Sequence, residues 1–115
     1  RVVAAARSVG MLTEFDFIEP EAAHAMPDRH VMYLCTGSQG EPNAALARIA
    51  RGDHPSVKLG QGDAVIFSSR VIPGNERSIG MMQNQLADLG IQLITARQAA
   101  IHVSGHPHRD ELRRM

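Results

Sequence analysis

The feature that most constrains the fold of this 115-residue sequence is an order of apolar run, polar turn and helical pattern that recurs along it. Residues 31–35 have the pattern of a buried strand, residues 36–42 that of a turn, and residues 44–50 that of a helix. The same order begins again at residues 64–67 and at residues 99–103. Because helical crossovers join parallel strands, we predict an α/β domain with an open, mostly parallel sheet flanked by helices.

The second of these units predicts the longest helix, over residues 75–89. Asn75 is the predicted N-cap, Glu76 complements the helix dipole, and Gly90 follows the helix as its C′ residue. The remaining predicted elements are a helix ending near Gly10, a short helix over 21–26, strands over 57–59 and 91–94, a short alternating segment over 15–19 and a charged helix at the end of the sequence.

Composition excludes several classes of protein. Twelve Lys and Arg balance twelve Asp and Glu, so no global basic field recruits polyanions. Aromatic residues make up only 3% of the chain, which argues against rows of stacking rings and leaves phosphate as the expected point of contact with RNA. Cys35 is the only cysteine, and no apolar run is long enough for a signal peptide or a membrane span, so we expect a cytoplasmic location without membrane contact.

Turns after parallel strands gather at the carboxyl edge of a sheet, where ligands commonly bind. The turn after the last predicted strand joins His102, Ser104, Gly105 and His106. The Ser104 hydroxyl and the backbone N–H groups around Gly105 are suited to phosphate oxygens, whereas His106 is suited to proton transfer. An ordinary turn is the alternative interpretation. The other histidines beside turns, His24, His30 and His54, are predicted to be solvated surface residues.

Three segments together resemble ribonuclease J of the β-CASP branch of the metallo-β-lactamase superfamily. They are Thr-Gly-Ser-Gln-Gly-Glu-Pro at 36–42, Phe-Ser-Ser-Arg-Val-Ile-Pro-Gly-Asn-Glu at 67–76 and Ile-His-Val-Ser-Gly-His at 101–106. The likeness runs over most of residues 1–115 and covers only part of a β-CASP domain. It implies that residues 1–115 are a single partial domain cut from a longer chain that carries the metallo-β-lactamase domain.

The resemblance also implies an activity. The longer protein would hydrolyse RNA phosphodiesters with two zinc ions, as a 5′-to-3′ exonuclease that favours 5′-monophosphate ends and as an endonuclease. RNA would run between the two domains, and His106 would be catalytic. The implied substrate-binding residues are His102, Val103, Ser104, Gly105 and His106. The candidate RNA contacts are Thr36, Gly37, Ser38, Ser68 and Ser69. The metal ligands of the family have no counterpart here, so the fragment is expected to bind no metal and to be inactive.

Two other functions stay open from the sequence. The first is a non-catalytic α/β module that binds a nucleotide or a small phosphorylated ligand. The second is hydrolysis at a metal held by His106 and His108, since residues 106–111 come within one residue of the pattern His-x-His-x-Asp-His. Against that site, Asp110 and Glu111 stand where a helix is predicted to begin, a common place for acidic residues. Apolar surface left without its partner domain would also favour a homo-oligomer.

Overall fold

The computed structural model describes residues 2–103, 106 and 109–114, without the side chains of Val2 and Glu111. Its helices are α1 (Val2–Ser8), α2 (Pro20–Ala23), a 3-10 turn (Asp28–His30), α3 (Ala45–Arg51), α4 (Glu76–Asp88) and α5 (Arg109–Arg114), and its strands are β1 (Ala64–Phe67) and β2 (Gln92–Thr95). Within these described parts, no helix has the length and apolarity needed to cross a membrane. The chain divides into two compact units, residues 1–34 and residues 35–115.

The first unit contains the predicted helix that ends before Gly10, and a short helix at α2, four residues long rather than six. The alternating segment at 15–19 forms no strand. Its Phe15 and Phe17 rings instead lie 6.4 Å apart, tilted by 54°. Arg7 holds this pair, since its guanidinium donates to the Phe15 carbonyl at 3.2 Å and lies 5.7 Å from the centre of the Phe17 ring.

The second unit is built on β1, α4 and β2, which form a strand–helix–strand crossover with a two-stranded parallel sheet. The register pairs Ala64 with Gln92 and Phe67 with Thr95. Helix α4 packs against both α3 and β2. This arrangement confirms the predicted α/β class with a small, open, parallel sheet.

The core of the second unit follows from helical spacing. Along α4, Ile79, Met82 and Leu86 are buried at intervals of three and four residues, and Leu86 has no exposed surface. The buried residues that pack together are Leu46, Ala47 and Ala50 from α3, Phe67 from β1, Met82 and Leu86 from α4, and Ile91. Gly90 ends α4 with φ +78°, as predicted for a C′ glycine.

Three of the strand predictions are wrong: residues 31–35, 57–59 and 99–103 form no strand. A strand is defined by a ladder with a neighbour, and within the described ranges β1 and β2 pair only with each other. Met32 and Leu34 are correspondingly exposed, at 89% and 79%. At 99–103 the chain turns instead of extending, because the Ile101 N–H donates to the Ala99 carbonyl at 2.9 Å.

The position of the predicted N-cap of α4 is confirmed, but the expected capping hydrogen bond is absent. Asn75 is the N-cap residue, but its side chain makes no capping hydrogen bond. Its amide nitrogen donates instead to Gln39 Oε1 at 3.4 Å. Glu76 supplies the local hydrogen bond, since its Oε2 accepts from the Gly74 N–H at 2.8 Å. The Asn75 side chain therefore contacts Gln39 rather than the end of its own helix.

Candidate functional site

The turn at residues 36–42 is seated closely against its surroundings. The Leu46 N–H donates to the Thr36 carbonyl at 3.0 Å, which joins the start of the turn to α3. Gly37 is buried, and a Cβ atom there would lie 2.9 Å from Cβ of Ala44. A Cβ atom at Gly40 would lie 2.7 Å from the carbonyl carbon of Ser78, in the first turn of α4. Glycine at these positions therefore allows the turn to rest directly on both helices.

Gln39, between these two glycines, connects this turn to the loop that follows β1. Its Nε2 donates to the Arg70 carbonyl at 2.7 Å, and its Oε1 accepts from the Ile72 N–H at 3.0 Å. Its own backbone N–H donates to Glu41 Oε2 at 3.0 Å. Both ends of one side-chain amide thus hold the backbone of residues 70–72 at a fixed place beside the turn.

His102 connects the last segment to the same loop. Its Nδ1 lies 2.7 Å from the carbonyl oxygen of Ser68, the residue directly after β1. A carbonyl oxygen only accepts hydrogen bonds, so Nδ1 carries the proton and Nε2 is the ring nitrogen left to meet a ligand. The segments at 36–42, 67–76 and 101–106 are therefore linked in series through Gln39 and Ser68.

Comparison with known proteins shows which family the chain resembles. A family model described as the beta-CASP domain of ribonuclease J matches residues 1–86. The chain belongs to the ribonuclease J family. It is 47% identical over 116 residues to ribonuclease J of Sinorhizobium meliloti, a match that covers 100% of this chain and 21% of that protein.

Other ribonuclease J proteins give the same result. The one from Mycolicibacterium smegmatis is 43% identical over 109 residues, which is 93% of this chain and 20% of that protein. The one from Synechocystis is 42% identical over 112 residues, 96% of this chain and 18% of that protein. The chain therefore spans about a fifth of the length of the ribonuclease J proteins it matches.

The residues predicted from the ribonuclease J resemblance differ in how far they are exposed. Thr36, Ser68, Val103 and His106 are exposed, Ser38, Ser69 and His102 are half-buried, and Gly37 is buried. Ser104 and Gly105 lie outside the described residues, as do Pro107 and His108. A hydrogen bond brings His102 and Ser68 together. Ser38 is connected to the loop after β1 indirectly, because its neighbour Gln39 binds the Arg70 carbonyl.

Gln39 is the site residue that the sequence prediction missed. Its position between two glycines in the segment 36–42 is the signal that could have found it, because a polar side chain held by a tightly packed turn has a fixed direction. His54 was predicted to be a solvated surface residue, and this is wrong. It is half-buried, and its Nδ1 accepts the N–H groups of Ser56 at 3.3 Å and of Val57 at 3.1 Å.

Two arginines of α3 bind groups that flank this helix. Arg51 donates to the Pro42 carbonyl at 2.9 Å and pairs with Asp53 at 3.3 Å. Arg48 also pairs with Asp53, at 3.6 Å. These pairs are exposed and contribute little to stability. At the start of the turn, desolvation raises the pKa of the Cys35 thiol, although the residue as a whole is exposed.

Among the described residues, no group of three or more His, Cys, Asp and Glu is placed to hold a metal ion. His106 is described and exposed, but His108, its partner in the alternative metal site, lies outside that range. Asp110 belongs to α5, as predicted when Asp110 and Glu111 were interpreted as the start of a helix. The described residues do not fit the two-zinc site that the family resemblance implies.

Proposed function

We propose that this chain is the β-CASP portion of a longer cytoplasmic ribonuclease J and that it holds RNA by phosphate. The longer protein would hydrolyse phosphodiesters, both from 5′-monophosphate ends and within the strand. Membership of the ribonuclease J family supports the proposal, and so does the fraction of the relatives' length that the chain spans, about a fifth. The phosphate site would be the surface that residues 36–42, 68–75 and 101–106 form together.

The observation that carries the proposal is the 2.7 Å contact between His102 Nδ1 and the Ser68 carbonyl. It fixes one face of the imidazole on the end of β1 and leaves Nε2 for the ligand. Phosphate oxygens accept hydrogen bonds, so the imidazolium form, which donates from both nitrogens, is the form of His102 suited to bind them. The exposed hydroxyl of Ser68 would lie next to the same phosphate.

The roles of Val103, Ser104, Gly105 and His106 are carried over from the family. Ser104 and the backbone at Gly105 would hold phosphate oxygens, with Val103 beside them. His106 would aid catalysis by stabilising or protonating the departing oxygen. Thr36, Gly37, Ser38 and Ser69 would line the path of the RNA, with buried Gly37 shaping the turn rather than exposing a side chain.

The two zinc ions of the proposed enzyme would be held outside this chain, in the metallo-β-lactamase domain. When bound, such ions supply an activated water for attack on phosphorus. The described residues offer no ligand group for them, so no hydrolytic step is assigned to this chain, and we expect the chain alone to be inactive. Its partners would be RNA, the metallo-β-lactamase domain and, through exposed apolar residues such as Met32, a second copy.

An NMR titration of the histidine side chains tests this proposal. The chain is titrated with a short RNA carrying a 5′-monophosphate and with the same RNA carrying a 5′-hydroxyl. We expect His102 and His106 to shift selectively with the phosphorylated RNA and to lose this response in Ser104→Ala. Ser8→Ala, in which the lost hydroxyl bonds its own helix at the Ala5 carbonyl, is the matched control.

Three results would contradict the proposal. Equal responses to the two RNAs would show that the surface formed by these three segments does not recognise a terminal phosphate. Tighter binding of a mononucleotide, with no gain from further nucleotides, would favour the non-catalytic module for a small phosphorylated ligand. Metal retained by the purified chain in a one-to-one ratio would favour the third interpretation, a metal site at His106 and His108.

A further inference from the structure

We propose that Gln39 is a positioning residue for the phosphate site, acting through the loop of residues 68–75 on His102. The inference rests on the proposed function and deepens it, because it names the side chain that sets the geometry of the site. Gln39 contacts the loop rather than His102. Its effect on the ligand would therefore be indirect.

The side-chain amide of Gln39 binds the loop as one residue of a neighbouring parallel strand would. It donates to the Arg70 carbonyl at 2.7 Å and accepts from the Ile72 N–H at 3.0 Å. A carbonyl and an N–H two residues apart are the groups that one residue of a parallel strand would bind. The two bonds fix both the distance and the rotation of the loop, which a single hydrogen bond would not do. Asn75 adds a third contact at 3.4 Å.

The backbone of Gln39 and of the next residue is fixed by hydrogen bonds of its own. The Gln39 N–H is bound by the Glu41 carboxylate at 3.0 Å, and the Gly40 N–H donates to the Gly37 carbonyl at 3.1 Å. Gly40 rests on Ser78 with no room for a Cβ atom. The backbone next to Gln39 is thus fixed against α4, and the Gln39 side chain is fixed against the loop.

Ser68 lies between two fixed points. On one side is Phe67, the buried last residue of β1, and on the other is Arg70, held by Gln39. The carbonyl oxygen of Ser68 then accepts from His102. Removing the Gln39 amide would free the far end of this short segment, so the Ser68 carbonyl and the His102 ring would sample more orientations.

The experiment compares three variants of the chain with the wild type. Gln39→Met keeps the length of the side chain and removes both polar atoms. Gln39→Glu keeps an acceptor for Ile72 but places a carboxylate oxygen against the Arg70 carbonyl. Gln85→Met, at an exposed position of α4, is the control. The readouts are the imidazole nitrogen signals of His102 and the ratio of Kd values for RNA with a 5′-hydroxyl and a 5′-monophosphate.

We expect Gln39→Met to retain the fold while the His102 nitrogen signals move towards the mixture of tautomers seen in free imidazole. The preference for the 5′-monophosphate should fall by roughly fivefold, the effect of one net hydrogen bond. Gln39→Glu, whose carboxylate oxygen repels the Arg70 carbonyl, should give an effect at least as large, and it replaces Gln39→Met if that variant does not fold. Gln85→Met should change neither readout.

Unchanged His102 signals and an unchanged ratio in a folded Gln39 variant would overturn the inference. A loss of thermal stability alone would have the same meaning, since a merely structural residue does not alter discrimination between the two RNAs. If the wild type shows no preference for the 5′-monophosphate, the proposed function fails. The His102 nitrogen signals of the variants then still decide whether Gln39 controls that ring.

Discussion

Gly40 packs so closely on Ser78 that a Cβ atom at Gly40 would stand 2.7 Å from the carbonyl carbon of Ser78 and 2.9 Å from the nitrogen of Ile79. Both neighbours are backbone atoms in the first turn of α4, so neither can rotate away. Gly40 also has φ +76°, a conformation that other residues adopt at a cost. The requirement for glycine is therefore twofold, steric and conformational.

We expect Gly40→Ala to lower the free energy of unfolding by roughly 2–4 kcal/mol, the sum of a left-handed alanine and an overpacked contact. Gly62→Ala is the matched control, because Gly62 has φ +95° but no atom within 4 Å of an added Cβ. It should cost only the conformational part, about 1–2 kcal/mol. Urea denaturation of both variants measures the difference, and equal losses would contradict the close packing.

The strand–helix–strand unit could be predicted from the sequence because each of its signals is local. The apolar run at 64–67, the spacing of Ile79, Met82 and Leu86, and the glycine at position 90 are each recognised from residues close by in the sequence. The strand predicted at 31–35 has an equally good local pattern. It fails because a strand also needs a partner in the sheet, and no local pattern specifies one.

The candidate site was predictable only in part for the same reason. The sequence motifs predicted His102, Ser68 and the turn at 36–42 as site residues. Hydrogen bonds in the structure connect these segments. The connection itself depends on Gln39, whose partners lie 31 and 33 residues away in the sequence. Asn75 is a second example. Its side chain was predicted to cap α4, but it donates instead to Gln39, which is distant in the sequence.

Leu86 should be the most sensitive aliphatic position of α4. It has no exposed surface and lies in the core formed with α3, β1 and Ile91. Leu86→Ala would leave a cavity and should cost roughly 2–5 kcal/mol of stability. Leu89→Ala, one turn along and 41% exposed, should cost much less. Thermal unfolding of the two variants tests this, and similar losses would contradict the packing of α4.

His54 should stabilise the turn after α3 through its ring nitrogen. Its Nδ1 accepts from the N–H groups of Ser56 and Val57, and Val57 is buried. His54→Ala should therefore lower the free energy of unfolding by about 1–2 kcal/mol. His54→Asn should recover much of this, because an asparagine oxygen accepts the same kind of local N–H.

The control for His54 is His30→Ala, which removes an exposed imidazole from the first unit. It should leave stability almost unchanged. Equal stability of His54→Ala and His54→Asn in urea denaturation would mean that the ring contributes by packing alone, and the hydrogen-bonding account would be wrong.

Cys35 gives a prediction about pH. Desolvation raises the pKa of its thiol, so the folded chain favours the neutral form. The contribution to stability is fully present below the pKa of the unfolded thiol. It is lost as the pH rises through the folded pKa, because the unfolded chain ionises first and is stabilised by doing so. Stability should consequently decline at alkaline pH, and Cys35→Ser should remove that part of the decline.

Alkylation by iodoacetamide measures the same shift directly, since Cys35 is the only cysteine and the thiolate is the reactive form. The rate for the folded chain should reach half its maximum at a higher pH than the rate for a short peptide with the sequence of residues 33–37. Coincident pH profiles would show that the surroundings of Cys35 do not desolvate the thiol. A profile displaced to lower pH would require a stabilised thiolate, and the direction of the proposed effect would be reversed.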